Sequence, residues 1–197
     1  MIDLTGKVAV VTGASKGIGK GIVEGLCEYG CTVYFTGRST SSDVPPAPMT
    51  IDATAVSANK LGGKAIPVCL DHNDDTAVGA LFERIDKEQG RLDILVNNAG
   101  MVKAGNPENQ TTGEYRLTMA VHADGVFFGC RAGIPAMAAS GGGSIINMCS
   151  LAAIQGESYV AAYCMAKGGI DAYTRAVAVH CAQNKNGVRC NSIHPSG

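Results

Sequence analysis

The chain has no tryptophan, and aromatic residues make up only 5% of its 197 residues. Charged residues are also scarce, at 17% compared with about 25% in an average soluble domain. The 16 basic and 17 acidic residues leave a net charge of −1. A surface built mainly for nucleic acid or anionic membrane needs an excess of basic residues, so neither partner is expected.

Long hydrophobic runs are also missing. The longest stretch without charge, residues 132–156, contains Pro135, three consecutive glycines at 141–143 and Asn147, which makes it a poor bilayer helix. The first residues show no basic region followed by an apolar stretch and a cleavage site, so no secretory signal is predicted. We therefore expect a cytoplasmic protein.

Cysteine and histidine spacings give no metal-binding pattern. None of the eight cysteines forms a C-x-x-C pair, and without a secretory signal we interpret them as reduced thiols. His72, His180 and His194 have no metal-ligand spacing, and we interpret them as surface or core residues. No metal site is predicted.

Apolar runs alternate with helical patterns along the whole chain. Strands are predicted at 7–11, 31–36, 65–70, 92–96, 144–148 and 188–193. Helices are predicted at 20–29, 51–61, from 74 or 75 onward, at 113–139 and at 160–183, with a polar, proline-rich loop at 39–50. This alternation is typical of an α/β fold with a doubly wound parallel sheet between two helical layers. We expect a single domain over residues 1–197.

A glycine-rich turn, Thr12–Gly19, lies between the first strand and the first helix. Gly13 permits a tight turn, Gly17 lets the backbone approach a diphosphate, and Gly19 lets the helix pack closely on the sheet. The alternative is a flexible turn with no ligand. The turn also contains a G-x-S-x-G pattern around Ser15, but too little chain precedes it to supply the oxyanion hole of a hydrolase.

The end of the second strand bears on cofactor choice. A site specific for NAD often carries an acidic residue there to bind the ribose 2′-hydroxyl. Here Gly37 is followed by Arg38, and Lys16 lies in the glycine-rich turn. Both cations could pair with a 2′-phosphate, so NADP(H) is preferred and NAD(H) stays possible. The alternative is two solvated surface cations.

Three residues suggest proton transfer. Ser150 follows the fifth strand, Tyr163 comes 13 positions later and Lys167 another four. Residues four apart share one helix face, so the phenol and the ammonium can converge. An adjacent ammonium favours the phenolate, so Lys167 is expected to lower the pKa of Tyr163 and suit it to acid–base work. A Tyr-x-x-x-Lys pair alone is usually a helix surface pair; the combination with Ser150 and the glycine turn is specific.

Taken together, these motifs resemble the short-chain dehydrogenase/reductase family, which has a Rossmann-like fold. The similarity extends from residue 5 to residue 197, and subfamily hints point to NADP-linked, hydroxysteroid and secondary-alcohol dehydrogenases. The matching motifs are TGxxxGxG at Thr12–Gly19, NNAG at Asn97–Gly100, the catalytic Ser150, YxxxK at Tyr163–Lys167, and the Asn191–Pro195 segment.

The resemblance implies a role for each matching residue. Tyr163 would be the general acid/base, Lys167 would lower its pKa and bind the nicotinamide ribose, and Ser150 would hold the substrate oxygen. Asp71 would accept a hydrogen bond from the adenine amino group. The cofactor-binding residues would be Gly13, Ser15, Lys16, Gly17, Ile18, Gly19, Arg38, Ser39, Asp71, Asn98, Ala99, Gly100, Tyr163, Lys167 and Pro195.

Two features depart from the family pattern. His122 stands where the family has a catalytic asparagine that holds a water in a proton relay. Its imidazole, with a pKa near working pH and Asp124 to bias its charge, could preserve the relay. Alternatively, it fills space and slows turnover.

Family members also continue into a substrate lid and a final strand, so the given sequence is expected to lack both.

The expected function is an NADP(H)-dependent oxidoreductase that exchanges hydride with a ketone or secondary alcohol. The partner is a small carbonyl or alcohol molecule, and a full-length chain is expected to form a homodimer or homotetramer. The alternative is a nucleotide-binding protein of the same fold with weak or no catalysis, acting as a sensor or inactive subunit.

Overall fold

The computed structural model describes residues 2–41 and 49–196, so most of the loop predicted at 39–50 lies outside the described residues. Strands and helices alternate as the sequence predicts. The strands are β1 (Val8–Val11), β2 (Thr32–Gly37), β3 (Lys64–Cys69), β4 (Ile94–Asn97), β5 (Gly143–Met148) and β6 (Val188–Ile193). The helices are α1 (Gly17–Glu28), α2 (Ile51–Ala58), α3 (Asp75–Gln89), α4 (Thr112–Met119), α5 (Gly125–Ala139) and α6 (Ala161–Gln183).

All six strands form one sheet in the order β3-β2-β1-β4-β5-β6, and every neighbouring pair is parallel. The chain runs outward from β1 to β3 and then crosses over to β4, which lies on the other side of β1. The predicted doubly wound parallel sheet is confirmed. In such sheets the ligand crevice lies at the carboxyl ends of the strands where the direction of winding reverses, here between β1 and β4.

Each face of the sheet has its own apolar core. On one face α1 and α2 cover the sheet with buried side chains such as Val23, Cys27 and Ile51. On the other face α3, α5 and α6 do so with residues such as Phe82 and Ile170. The helix layers are close enough to the sheet to leave no room for a Cβ at some glycines. At Gly133 of α5, an added Cβ would lie 2.8 Å from a methyl carbon of Leu95.

The predicted helix over 113–139 is interrupted. Between α4 and α5 the residues Ala120–Asp124 form a π-helical segment, in which the backbone takes a wider turn. Such segments occur often at functional sites, and this one contains His122. Periodicity could not reveal it because the apolar pattern continues through the segment.

The predicted start of the fourth strand is wrong by two residues. The backbone N–H of Leu92 bonds to the hydroxyl of Ser140, and that of Asp93 bonds to the carbonyl of Val8. Leu92 is therefore outside the strand, Asp93 makes the first bond to β1, and the paired register starts at Ile94. Among the described residues, no helix combines the length and the apolar character needed to cross a membrane.

Candidate functional site

A large open cleft of about 1170 Å³ lies at the carboxyl ends of the central strands. Almost every residue predicted for cofactor binding or catalysis lines it. Gly17 is the exception; it lies in the glycine turn but not on the cleft wall. The predicted residues on the wall are Gly13, Ser15, Lys16, Ile18, Gly19, Arg38, Ser39, Asp71, Asn98, Ala99, Gly100, His122, Ser150, Tyr163, Lys167 and Pro195.

The glycine turn after β1 is tied to the loop after β4. Thr12 Oγ1 accepts hydrogen bonds from the backbone N–H groups of Asn98 and Ala99, each at 2.9 Å. The amide of Asn98 donates in return to the carbonyls of Thr12 and Gly13, both at 2.9 Å. Gly13 has a φ of +68°, and a Cβ there would lie 2.5 Å from the Ala99 Cα. This position therefore requires glycine.

The start of α1 can receive an anion. Gly17 has a φ of +58°, and a Cβ there would meet no heavy atom within 4 Å, so the turn faces open space. Within the described chain, no side-chain hydrogen bond from Lys16 caps the helix, and its first turn carries no acidic residue. The first N–H groups of a helix have no partner inside the helix, and they favour a negative charge. The fit to a diphosphate is therefore good.

The cation and the acid predicted for the adenosine side form a pair with each other. A guanidinium nitrogen of Arg38 lies 3.7 Å from Asp71 Oδ2, and their side chains are 66% and 47% exposed. A pair this exposed contributes little to stability, so either group can turn toward a ligand. Asp71 Oδ1 also accepts a hydrogen bond from the Asn73 N–H.

The structure also contains a buried pair, His72 and Thr36, that the sequence did not predict. His72 Nε2 lies 2.6 Å from Thr36 Oγ1, which accepts a bond from the Gly13 N–H. Burial lowers the pKa of His72 to about 4, so the ring is neutral and its Nε2 can accept the hydroxyl proton of Thr36. The pair supports the glycine turn from β2, and only the fold brings His72 to it.

Lys167 and Tyr163 come together on one face of α6, as their spacing predicts. The Lys167 ammonium nitrogen lies 5.5 Å from the centre of the Tyr163 ring. It donates a 2.6 Å hydrogen bond to the carbonyl of Met148 at the end of β5. The side chain is buried, and this burial lowers the pKa of Lys167 to about 8.

His122 also contacts Tyr163. Its ring meets the Tyr163 ring edge-on, with centres 5.1 Å apart. Its Nε2 lies 2.7 Å from the carbonyl oxygen of Met101, whereas its buried Nδ1 has no hydrogen-bond partner in the part of the chain that the structure describes.

The expectation that His122 titrates near working pH is wrong. Burial first, and the nearby Lys167 charge second, lower the pKa of His122 to about 4, so its ring is neutral at working pH. The charged neighbour that influences it is Lys167, whereas Asp124 is exposed to solvent.

Ser150 follows β5 and is held by the end of β6. Its hydroxyl oxygen accepts a 3.1 Å bond from the Ala152 N–H, which begins a 3₁₀ turn over Leu151–Ala153. Its carbonyl lies 3.0 Å from His194 Nδ1, and the carbonyl of Pro195 accepts from the Leu151 N–H. The interpretation of His194 as a surface or core residue missed this contact, because its partner is 44 positions away.

Residues 7–197 match the model of the short chain dehydrogenase family. The chain is 35% identical over 195 residues to the NADP-dependent (R)-specific alcohol dehydrogenase of Lentilactobacillus kefiri, covering 98% of this chain and 73% of that protein. It is 34% identical over 194 residues to the 3-beta-hydroxysteroid dehydrogenase of Comamonas testosteroni, covering 98% and 72%.

Solved structures agree with these sequence matches. A short-chain type dehydrogenase/reductase from Mycobacterium marinum superposes with a TM-score of 0.89 at 30% identity, covering 99% of this chain and 74% of that one. An NAD+-bound xylitol dehydrogenase gives a TM-score of 0.89 at 25% identity, covering 98% and 70%. With the glycine turn, the Tyr-x-x-x-Lys pair and the strand order all in place, the chain belongs to the short-chain dehydrogenase family of oxidoreductases.

Proposed function

We propose that this chain, as one dinucleotide-binding domain over residues 1–197, is an NADP(H)-dependent oxidoreductase that interconverts a ketone and a secondary alcohol. The observation that carries the proposal is that Ser150, Tyr163 and Lys167 line the same cleft as the glycine turn. The proton-transfer group and the anion-binding turn therefore face one space, large enough for a dinucleotide and a small substrate. The two relatives named above, an alcohol and a hydroxysteroid dehydrogenase, support this substrate class.

In the proposed reaction Tyr163 gives its phenolic proton to the substrate oxygen during reduction and takes it back during oxidation. Hydride exchange at the carbonyl carbon is the chemistry that the nicotinamide supplies when bound. Ser150 Oγ accepts from the Ala152 N–H with one of its two lone pairs, a contact that does not use its proton, and we propose that this proton binds the substrate oxygen. A donor aimed at the oxygen that gains charge lowers the barrier.

Lys167 is proposed to act through position and charge. One of its three protons bonds to the Met148 carbonyl, which fixes the ammonium beside Tyr163. The remaining two protons can bind ribose hydroxyls.

His122 is proposed to continue the relay as a neutral ring. Its Nε2 lies 2.7 Å from the Met101 carbonyl oxygen and 3.3 Å from the Met101 backbone nitrogen; the shorter contact needs a donor and places the proton on Nε2, which leaves Nδ1 as an acceptor with no protein partner among the described residues. An acceptor buried beside Tyr163 costs free energy unless a water or another donor satisfies it. This supports a water-linked relay through Nδ1 over the alternative that His122 only fills space.

The proposed preference for NADP(H) rests on two cations and the absence of an acid at the end of β2. Arg38 and Lys16 both line the cleft, and Arg38 can leave its exposed pair with Asp71 to bind a 2′-phosphate. Asp71 is then free for the adenine amino group. NAD(H) remains a possible second cofactor.

The direct test is Tyr163→Phe, which removes one oxygen and keeps the ring packed against His122. We expect kcat for ketone reduction to fall by about 10²- to 10⁴-fold, the usual contribution of a positioned acid–base group. NADPH affinity, measured by fluorescence titration, should change little. Tyr159→Phe, an exposed tyrosine on the same cleft, is the matched control.

Two results would count against the proposal. Retained turnover in Tyr163→Phe would remove the assigned proton-transfer group. Tight NADPH binding by the unaltered chain with no turnover across a panel of ketones and alcohols would favour the second candidate, a sensor or inactive subunit. The replacement of the family asparagine by His122 is the observation that keeps this candidate open.

We further propose that the protein works in a reducing compartment such as the cytoplasm, as a homodimer or homotetramer acting on a small molecule. All eight cysteines are free, as expected where thiols stay reduced. Sedimentation of the purified protein would test the oligomeric state.

A further inference from the structure

Three potential metal ligands converge behind Ser150, although the sequence shows no metal-ligand spacing. Cys149 lies at the end of β5, Asp171 on α6, and His194 just after β6. The Cys149 thiol, an Asp171 carboxylate oxygen and a His194 ring nitrogen all lie within 4.8 Å of one another. Cys149 also lines the cleft, so the cluster borders the proposed active site without belonging to it.

The hydrogen bonds at this cluster leave one place for a positive charge. His194 Nδ1 lies 3.0 Å from the Ser150 carbonyl, which can only accept, so Nδ1 carries a proton. In a neutral ring the other nitrogen, Nε2, is then an acceptor. It lies 3.3 Å from Asp171 Oδ1, which is also an acceptor.

One hydroxyl cannot relieve this contact. Ser192 Oγ lies 3.0 Å from His194 Nε2 and 3.2 Å from Asp171 Oδ1, but it has a single proton to donate. Whichever atom receives that proton, the other still faces an acceptor. Both side chains are 20% exposed, so water can donate to the remaining acceptor, and a metal cation between the two side chains would bind both acceptors directly.

The surrounding contacts are those expected of metal ligands. A metal-bound histidine usually donates its second ring N–H to a backbone carbonyl or a carboxylate, as His194 does to Ser150. The Asp171 carboxylate is held from outside by Arg175 on the next turn of α6. Thiolate, imidazole and carboxylate together are the donor set that Zn²⁺ favours, with the fourth position open to water.

We propose that Cys149, Asp171 and His194 form a Zn²⁺ site that joins the ends of β5 and β6 to α6 behind Ser150. Binding forms one Zn–S, one Zn–N and one Zn–O bond. The Cys149 thiol gives up its 3.1 Å hydrogen bond to the Lys167 carbonyl, and its proton leaves to solvent. The ion would fix the backbone of Ser150 and the segment that follows β6.

The test measures binding and needs no turnover, so it is independent of the proposed oxidoreductase activity. Zn²⁺ is titrated into the reduced full chain in competition with a coloured chelator, and Co²⁺ is used as a spectroscopic substitute. We expect one tight site, a thiolate-to-cobalt band in the near ultraviolet, and a higher melting temperature with Zn²⁺. Cys149→Ser should remove the band, and His194→Phe should weaken Zn²⁺ binding at least about tenfold.

The control variants change the same residue types outside the cluster. Cys69 and His180 are exposed, so Cys69→Ser and His180→Ala should bind Zn²⁺ as the unaltered chain does. In case a cluster variant fails to fold, the unaltered chain is alkylated with and without Zn²⁺, and mass spectrometry of its peptides shows whether the ion protects Cys149. Absence of a tight site, unchanged binding in Cys149→Ser, or unprotected Cys149 would overturn the proposal and leave a proton between His194 and Asp171.

Discussion

At the scale of single residues, burial decides the charge state of the groups around Tyr163. The rings of His72 and His122 and the ammonium of Lys167 are all buried, and each has a lowered pKa for that reason first. Both histidines are therefore neutral and act through hydrogen bonds. Lys167, with a pKa of about 8, remains largely protonated at neutral pH and is the one charge of the three that faces Tyr163.

The two histidines should make the fold sensitive to mild acid. Their pKa is lowered to about 4 in the folded chain, so they stabilise the fold fully above the unfolded value of about 6.5. That stability is lost as pH falls toward 4, because the unfolded chain binds protons that the folded chain cannot. At pH 5 each histidine should lower the free energy of unfolding by about 2 kcal/mol relative to its value above the unfolded pKa.

His122→Asn places the family residue at this position and tests how much of the acid-induced loss of stability is due to His122. Urea unfolding at pH 7 and pH 5 should show a loss of stability between the two that is smaller by about 2 kcal/mol in the variant. Any cost of the substitution that does not depend on pH cancels in this comparison. The same loss in both proteins would mean that His122 takes up its proton in the folded state.

At the scale of elements, the start of α1 lies very close to the glycine turn and to the loop after β4. A Cβ at Gly19 would lie 2.5 Å from the Gly13 carbonyl oxygen and would also collide with the Asn98 side chain. The same amide of Asn98 holds the turn to β4. The helix therefore cannot start here with a larger residue unless the turn moves.

Gly19→Ala should destabilise the chain by about 1–3 kcal/mol, the usual cost of an extra methyl group in a close-packed contact. NADPH affinity should fall with it, because the displaced turn no longer aims its N–H groups at the diphosphate. Chemical unfolding and fluorescence titration measure the two effects.

The same helix offers a matched control in Gly21. This glycine is exposed, and a Cβ there would meet nothing within 4 Å. Gly21→Ala should therefore stabilise α1 by roughly 0.5–1 kcal/mol, because alanine loses less backbone entropy on folding. Equal effects of the two substitutions would show that the close contact at Gly19 is not what requires glycine.

At the scale of the whole molecule, the cleft joins the two halves of the sheet, so a bound dinucleotide should stabilise the entire fold. At a hundred times its dissociation constant a ligand adds about 2.7 kcal/mol. For a chain of this size that corresponds to a rise in melting temperature of roughly 5–10 °C. At equal concentrations, NADPH should raise the melting temperature more than NADH.

Arg38→Ala tests the cause of that difference. Removing a charged partner of the 2′-phosphate should cost roughly 1.5–3 kcal/mol of NADPH binding and leave NADH binding nearly unchanged. The two thermal shifts should then become similar. Lys60→Ala changes an exposed lysine that does not line the cleft, so the thermal shift with NADPH should stay larger than the shift with NADH. An unchanged preference in Arg38→Ala would assign the cofactor choice to other residues.

Local patterns in the sequence determined the order of strands and helices, the glycine turn and the pairing of Tyr163 with Lys167. Strand and helix periodicity, turn chemistry and a spacing of four residues depend only on neighbours along the chain. The parallel sheet was predicted because regular alternation of strands and helices is the pattern of parallel sheets covered by helices on both faces. These predictions were confirmed by the strand order and by the 5.5 Å approach of Lys167 to the Tyr163 ring.

Only the tertiary structure decided which distant residues meet and what charge they carry. The edge-on contact of His122 with Tyr163, the Thr36–His72 pair and the cluster of Cys149, Asp171 and His194 each join separate elements. The neutral state of His122 depends on how deeply the π-helical segment buries it. Burial and long-range contacts are properties of the folded chain, and the linear spacing of residues carries no record of them.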